Sequence, residues 1–315
     1  MREGPMCGVP RCVWELPAML GEGPVWSEAE QALYFVDIVG KAIHRYRPES
    51  GERTSWPAPD RPGFLVPLAD GTFLCGLRDG LHRFSPATGR FGLDLPVEPD
   101  QPGNRINDGH VDRFGRLWFG TMHDAETEPT GSLYSVRQDR GALSIRREDT
   151  GYVVSNGPAL SPDGRTLYHN HSPARTVYAF DVSPEGTLSN RRVFATLRDG
   201  YPDGIAVDSA GFLWVGVWDG GRIERLAPDG TRVEPIPMPA RNVTKVAFGG
   251  ADYRTVFVTT ARKGLSARQL VDQPLSGSLF AFGTSIAGQK QASFTLDSPL
   301  ALQGSVDGFL YIYSA

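Results

Sequence analysis

Short runs of apolar and aromatic residues recur along the chain at a nearly constant spacing. They begin at Leu33, Phe73, Leu117, Leu167, Leu213 and Val256, so successive runs lie 40, 44, 50, 46 and 43 residues apart. After each run and a turn or longer loop comes a second one, beginning at Ile43, Leu81, Leu133, Val177, Ile223 and Leu279. Turn residues precede most of the first runs, as in Asp70-Gly71, Asp112 to Gly115, Asp163-Gly164 and Asp208 to Gly211. No stretch of a dozen residues keeps a helical period free of Gly or Pro. Repeats of this length, each holding several strands, predict an all-β fold: a six-bladed β-propeller with four-stranded antiparallel blades. Solenoid coils would be shorter, and a pair of sandwiches would not repeat six times.

The whole chain, 1–315, is then one domain. Ring closure needs a terminal strand, and Cys12-Val13-Trp14-Glu15-Leu16 supplies a candidate. Ser305 to Tyr313 also reads as a strand but finds no place in the six-unit count, which leaves the role of the tail 291–315 open.

Four polar side chains share a register ahead of these strands. Glu22 and Asn156 lie 11 residues before Leu33 and Leu167, and Asn107 and Asp203 lie 10 before Leu117 and Leu213. Each sits at or near a glycine, which predicts sharp backbone turns at the mouth of a central tunnel that aim the donors inward. Other Asp-Gly pairs, such as Asp70-Gly71, lie only three or four residues before a strand and read as ordinary turns. Equivalent places in a ring converge on one axis. Two carboxylates and an amide, from Glu22, Asn156 and Asp203, suit a hard divalent cation, and no His or Cys stands at a matched position to favour structural zinc. Three protein ligands leave positions for water and substrate, as a Lewis-acid metal requires.

Composition narrows the picture. Net charge is −4 with no basic cluster, which argues against nucleic acid or an anionic membrane surface as partner. No apolar run reaches the roughly 20 residues that cross a bilayer. The N-terminus lacks the apolar segment of a secretory signal. Three cysteines without metal-finger spacing fit a reducing cytoplasm.

Taken in order, Leu20 to Trp26, Leu33 to Ile38, Arg105 to Gly109, Gly120-Thr121-Met122, Ser155 to Pro158, Pro202 to Gly204 and Phe248 to Gly250 resemble the family of senescence marker protein 30, gluconolactonase and luciferin-regenerating enzyme. The resemblance runs over residues 12 to about 290. It implies hydrolysis of a sugar lactone and one divalent metal held by Glu22, Asn156 and Asp203. Calcium leads, with zinc, manganese, magnesium and ferrous iron open. Asn107 matches a residue near metal and substrate, and Arg105 one that contacts substrate hydroxyls. Asp203 matches the family's usual general base; a metal-bound water deprotonated with its help is equally consistent. His123-Asp124 after Gly-Thr-Met is similar to bacterial pentonolactonases such as xylonolactonase. An acidic substrate contact of animal members falls at Ala125 here, so Asp124 or Glu126 substitutes or the contact is absent.

Other residues have blander readings. His169-Asn170-His171 reads as strand-end residues rather than a metal pair, and the chain has no Gly-x-Ser-x-Gly elbow. His123 could reach the pocket. Trp26, Trp118 and Trp214 read as core. Two rival functions keep the fold: a calcium-dependent hydrolase of aryl esters or phosphotriesters, and a non-catalytic metal-binding propeller. Oligomeric state and the particular sugar are not legible in the sequence.

Overall fold

The computed structural model describes residues 6–139, 142–296, 300–306 and 309–314. After β1 (Arg11–Trp14), blade 1 comprises β2 (Gly21–Ser27), β3 (Ala32–Asp37), β4 (Ala42–Tyr46) and β5 (Arg53–Pro57). Blade 2 comprises β6 (Leu65–Pro67), β7 (Phe73–Gly76), β8 (Gly80–Ser85) and β9 (Arg90–Pro96). Blade 3 follows with β10 (Asn104–Val111), β11 (Leu117–His123), β12 (Gly131–Asp139) and β13 (Ala142–Tyr152). Blade 4 has β14 (Ser155–Leu160), β15 (Thr166–His171), β16 (Thr176–Val182) and β17 (Leu188–Thr196). Blade 5 has β18 (Tyr201–Val207), β19 (Leu213–Trp218), β20 (Arg222–Leu226) and β21 (Arg232–Pro237). Blade 6 has β22 (Asn242–Gly249), β23 (Thr255–Ala261) and β24 (Leu279–Gly283), with one short helix, α1 (Ala267–Asp272), between the last two.

The first strand of each blade is innermost, and the recurrent apolar run is the second strand. Blade 6 takes its outermost strand from the start of the chain: β1 pairs antiparallel with β24. This closes the ring as the Cys12–Leu16 segment predicts. The turns repeat in atomic detail. Asp112 accepts hydrogen bonds from the Phe114 and Arg116 amides and from Trp118 Nε1, and Asp208 does the same for Ala210, Phe212 and Trp214 Nε1. Each indole is thereby buried with its one donor satisfied. The core lies between neighbouring blades, where side chains such as Trp26, Trp214, Phe248 and Phe257 interleave.

Five of the six inner strands break register at the same place, between Glu22 and Val25, Ile106 and Gly109, Asn156 and Ala159, Pro202 and Ile205, and Val243 and Val246. These are β-bulges, which re-aim side chains within a strand. The donors therefore sit inside the inner strands, not on turns at the tunnel mouth. In blades 1 and 4 the donor is the last paired residue, and Gly23 and Gly157 follow it with φ of +54° and +77°. In blades 3 and 5 the donor is itself the first bulged residue.

The second bulged residues of blades 3 and 6, Asp108 and Lys245, meet across the axis as a buried ion pair. These blades stand opposite each other in the ring. Asp108 also accepts the Gly109 amide (2.8 Å) and, from blade 4, the Gly157 amide (3.0 Å). The Lys245 stem crosses blade 5 so closely that a Cβ on Gly204 would lie 2.5 Å from it. The pair is a strut through the tunnel.

Beyond β24 the chain crosses the far mouth. Gly288 bridges Asp208, Gln289 Nε2 donates to the Leu160 and Val207 carbonyls, and buried Phe294 bridges Leu68. Strands β25 (Leu300–Val306) and β26 (Phe309–Ser314) then add to the outer edge of blade 3, with β26 antiparallel to β13. The tail strand thus finds its partner on a blade that was already complete, with residues 307–308 outside the described set.

Removing one partner of a buried ion pair strands the other charge. Asp108→Ala is expected to destabilise the protein by about 3–5 kcal/mol in denaturant unfolding, whereas Asp108→Asn with Lys245→Met recovers most of the loss.

Candidate functional site

The inner strands enter at one mouth of the tunnel, where the second strands end, and the donors lie just below it. One cavity of about 330 Å³ collects Glu22, Arg105, Asn107, Asn156 and Asp203 together with Glu126, Ser172 and Lys263. Its other wall is apolar: Leu20, Ile38, Met122, Val154, Tyr201 and Trp218. The volume falls in the range of small-molecule sites, roughly 300–1,000 Å³. The Asp108–Lys245 strut separates this cavity from a smaller one of about 90 Å³ lined by Lys245, His110 and Gln289 on the far side.

A chain of hydrogen bonds orients the polar wall across three blades. Arg105 Nη1 donates to Asn107 Oδ1 at 2.6 Å, and Asn107 Nδ2 donates to the Ser155 carbonyl (2.7 Å) and Asn156 Oδ1 (2.8 Å). Asn156 Nδ2 then donates to Ser172 Oγ, which donates to the Pro202 carbonyl. Asn170 Nδ2 holds the Asp203 carbonyl at 2.5 Å. The network fixes which end of each amide faces the cavity.

The carboxyl groups are not so well provided. Glu22 and Asp203 are 5% and 8% exposed. Glu22 accepts a hydrogen bond from the Gly23 amide, and among the described residues neither oxygen of Asp203 accepts one. Burial, together with the negative charge of Asp108, pushes Glu22 up to about 8, against the opposing pull of Lys245. Burial and the facing Glu22 raise Asp203 well above the usual carboxylate range. Two acids buried on one cavity in this way are short of positive charge. A divalent cation fits that deficit and the oxygen-only donor set of Glu22, Asn156 and Asp203. Among the described residues no group of three His, Cys, Asp or Glu side chains gathers anywhere.

Not every predicted residue lines the cavity. Asp124 stands behind Arg105, accepting from its Nε at 3.0 Å. His123 lies against Gly103 with Nδ1 on Thr127, outside the cavity wall. Glu126 takes the wall position instead, paired with Lys263. His169 is core: it contacts Ser155 Oγ at 3.0 Å and packs edge-on to Tyr152, and burial pushes it down to about 3, so it is neutral. The sequence reading missed Lys245, Ser172 and the structural role of Asn170. Lys245 could have been found by extending the bulge register to the sixth blade.

A six-bladed propeller with one acid-and-amide site in its tunnel defines the architectural class. The chain belongs to the SMP-30/Gluconolactonase/LRE-like family, whose model matches residues 20–262. It is 38% identical over 288 residues to 6-deoxy-6-sulfogluconolactonase of Pseudomonas putida, covering 90% of this chain and 98% of that protein. It is 36% identical over 282 residues to L-arabinolactonase of Azospirillum brasilense, covering 87% and 92%. A crystal structure of regucalcin from Agrobacterium tumefaciens, described as a calcium-binding protein, superposes with a TM-score of 0.87 at 28% identity, covering 91% of this chain and 98% of that one.

A divalent ion at one hundred times its Kd should stabilise the protein by about 2.7 kcal/mol, seen as a rise in Tm. Glu22→Gln and Asp203→Asn should abolish most of that rise. Because each removes one of two facing acids, neither should lower the Tm measured in chelator.

Proposed function

We propose that the protein hydrolyses the ester bond of a sugar lactone in this cavity, with a divalent cation held by Glu22, Asn156 and Asp203. One observation carries the reading: two buried, charge-deficient carboxyl groups share a cavity with an oriented Arg105–Asn107 pair. Family membership supports a hydrolase acting on carboxylic esters of the lactone type. Two relatives are named as sugar lactonases, and the calcium-binding description of the structural neighbour makes calcium the leading ion.

When bound, the cation would polarise the lactone carbonyl and stabilise the oxyanion that forms on attack. Asp203 is the group able to take the proton of the attacking water. Among the described residues its carboxylate accepts no hydrogen bond, and it reaches the cavity from a strand whose position Asn170 fixes. Arg105 presents its Nη2 donors, and Asn107 the remaining acceptor capacity of its Oδ1, to ring hydroxyls in an orientation already set by their mutual hydrogen bond, so little ordering remains when substrate binds. Trp218, Tyr201 and Met122 offer an apolar face to the C–H side of the ring.

The mixed wall favours a polyol over an aryl ester or phosphotriester, which would leave the donors of the polar half unused. Among the described residues Cys7, Cys12 and Cys75 form no disulfide. No helix among the described residues is long and apolar enough to cross a membrane.

Proton release on a panel of aldono-1,4- and 1,5-lactones tests the proposal. Asp203→Ala should lower kcat by about 10²- to 10⁴-fold, the share of a general base. Arg105→Met should act chiefly on KM. Faster turnover of aryl acetates or phosphotriesters than of every lactone would contradict the proposal and favour the other hydrolase class.

A further inference from the structure

The cavity is bounded below and above by ion pairs between the same two blades. Its floor is the Asp108–Lys245 strut, whose side chains are 2% and 8% exposed. On the solvent side Glu126 and Lys263, both on the cavity wall, form a second pair with more than a third of each side chain exposed. Glu126 stands in the loop after β11 of blade 3, and Lys263 follows β23 of blade 6. These blades face each other across the ring, so side chains rooted on them meet over its axis. The second strands end at the site mouth, which lays the upper pair across the opening as a bar. Its charges reach the acids below. Burial, Glu22 and Asp108 raise Asp203 most, and beyond them Glu126 raises it further while Lys263 lowers it.

Both ends of the bar are held by backbone contacts. The Lys263 amide donates to the Met19 carbonyl at 2.8 Å, and the Lys263 carbonyl accepts from Asn242 Nδ2 at 2.9 Å. Glu126 has a φ of +61°, a left-handed backbone that residues other than Gly, Asn and Asp seldom adopt. Such a conformation persists where its neighbours over-determine it. Here the Glu126 amide donates to the His123 carbonyl (2.9 Å), the Asp124 amide to the Gly103 carbonyl (2.9 Å), and Thr127 Oγ1 pairs with His123 Nδ1 (3.0 Å). His123, itself off the cavity wall, thereby fixes the loop that carries Glu126.

We propose that the Glu126–Lys263 bar limits the size of the substrate, favouring the lactone of a single sugar over one that carries a second sugar on a hydroxyl. The inference rests on the lactonase reading and adds to it the residues that set its range. The strut seals the floor and the blades seal the sides, so any substituent too large for the cavity of about 330 Å³ leaves through the mouth, where the bar lies. A single ring fits beneath the closed pair. A glycosylated ring holds the pair apart and forfeits its attraction.

The test compares kcat/KM of the calcium-loaded protein for the best single-sugar lactone of the panel and for the same lactone glycosylated at one hydroxyl, as in 4-O-galactosyl-glucono-1,5-lactone. The single-sugar lactone should be favoured. Glu126→Ala and Lys263→Ala, made separately, should each lower that preference about fivefold, which is what one partly exposed ion pair contributes. Exchanging the two, Glu126→Lys with Lys263→Glu, rebuilds the bar with its charges reversed and should restore the preference. A role for either side chain as an individual hydroxyl contact would not survive that exchange. The preference should also narrow as salt rises. Because each readout is a ratio within one protein sample, loss of folded enzyme cancels. Equal turnover of both lactones by the unaltered protein, or a preference that the single variants leave unmoved or the exchange fails to restore, overturns the inference and leaves the lactonase reading intact. If no lactone of the panel is hydrolysed, the reading itself fails and the inference with it.

Discussion

The site depends on one electrostatic constraint: Glu22 and Asp203 lie buried on one cavity with too few donors to hold their charge. Protein interiors tolerate such acids only when they are protonated or when a cation is shared between them. The surrounding structure prevents other solutions. Lys245, which opposes the shift of Glu22, is committed to Asp108, and Lys263, which faces Asp203, is committed to Glu126. The amide wall is locked in a chain from Arg105 to Ser172. What remains is an opening of fixed shape and negative charge, which is the chemistry a divalent ion answers.

The propeller produces this arrangement by a local device. A bulge at the same register of five inner strands turns a side chain toward the axis, and the choice of bulge position decides what it does. Blades 1 and 4 present Glu22 and Asn156 just before the bulge, and blades 3 and 5 present Asn107 and Asp203 on it. The second bulged position supplies the Asp108–Lys245 strut. Blade 2, whose inner strand is only three residues long, contributes neither.

Much of this was legible in the chain. The repeat period gave blade number and the position of both middle strands, because burial on a pleated sheet demands apolar runs at every turn of the ring. The register of the donors was also visible, as a 10- or 11-residue offset. The two bulge positions leave no trace in that spacing, because the later donor of blades 3 and 5 is offset by a hairpin one residue longer: Glu22 to Tyr34, Asn107 to Phe119, Asn156 to Tyr168 and Asp203 to Val215 are equally spaced. Lys245 stands in the same register, 11 residues before Val256, but its role was hidden because its partner Asp108 lies 137 residues away. Glu126 and Lys263 stand on loops whose meeting is set by tertiary structure alone. The tail strand was seen but its partner was not, since pairing to β13 is non-local.

Everything at the site turns on whether the tunnel acids work through a cation. The most direct test is lactone hydrolysis by metal-stripped protein, followed by proton release while calcium, manganese, zinc or ferrous iron is returned. Turnover should fall to the spontaneous rate in chelator and be restored by at least one ion. Full turnover without any metal, or none with every metal despite measurable ion binding, would contradict that role for the cation.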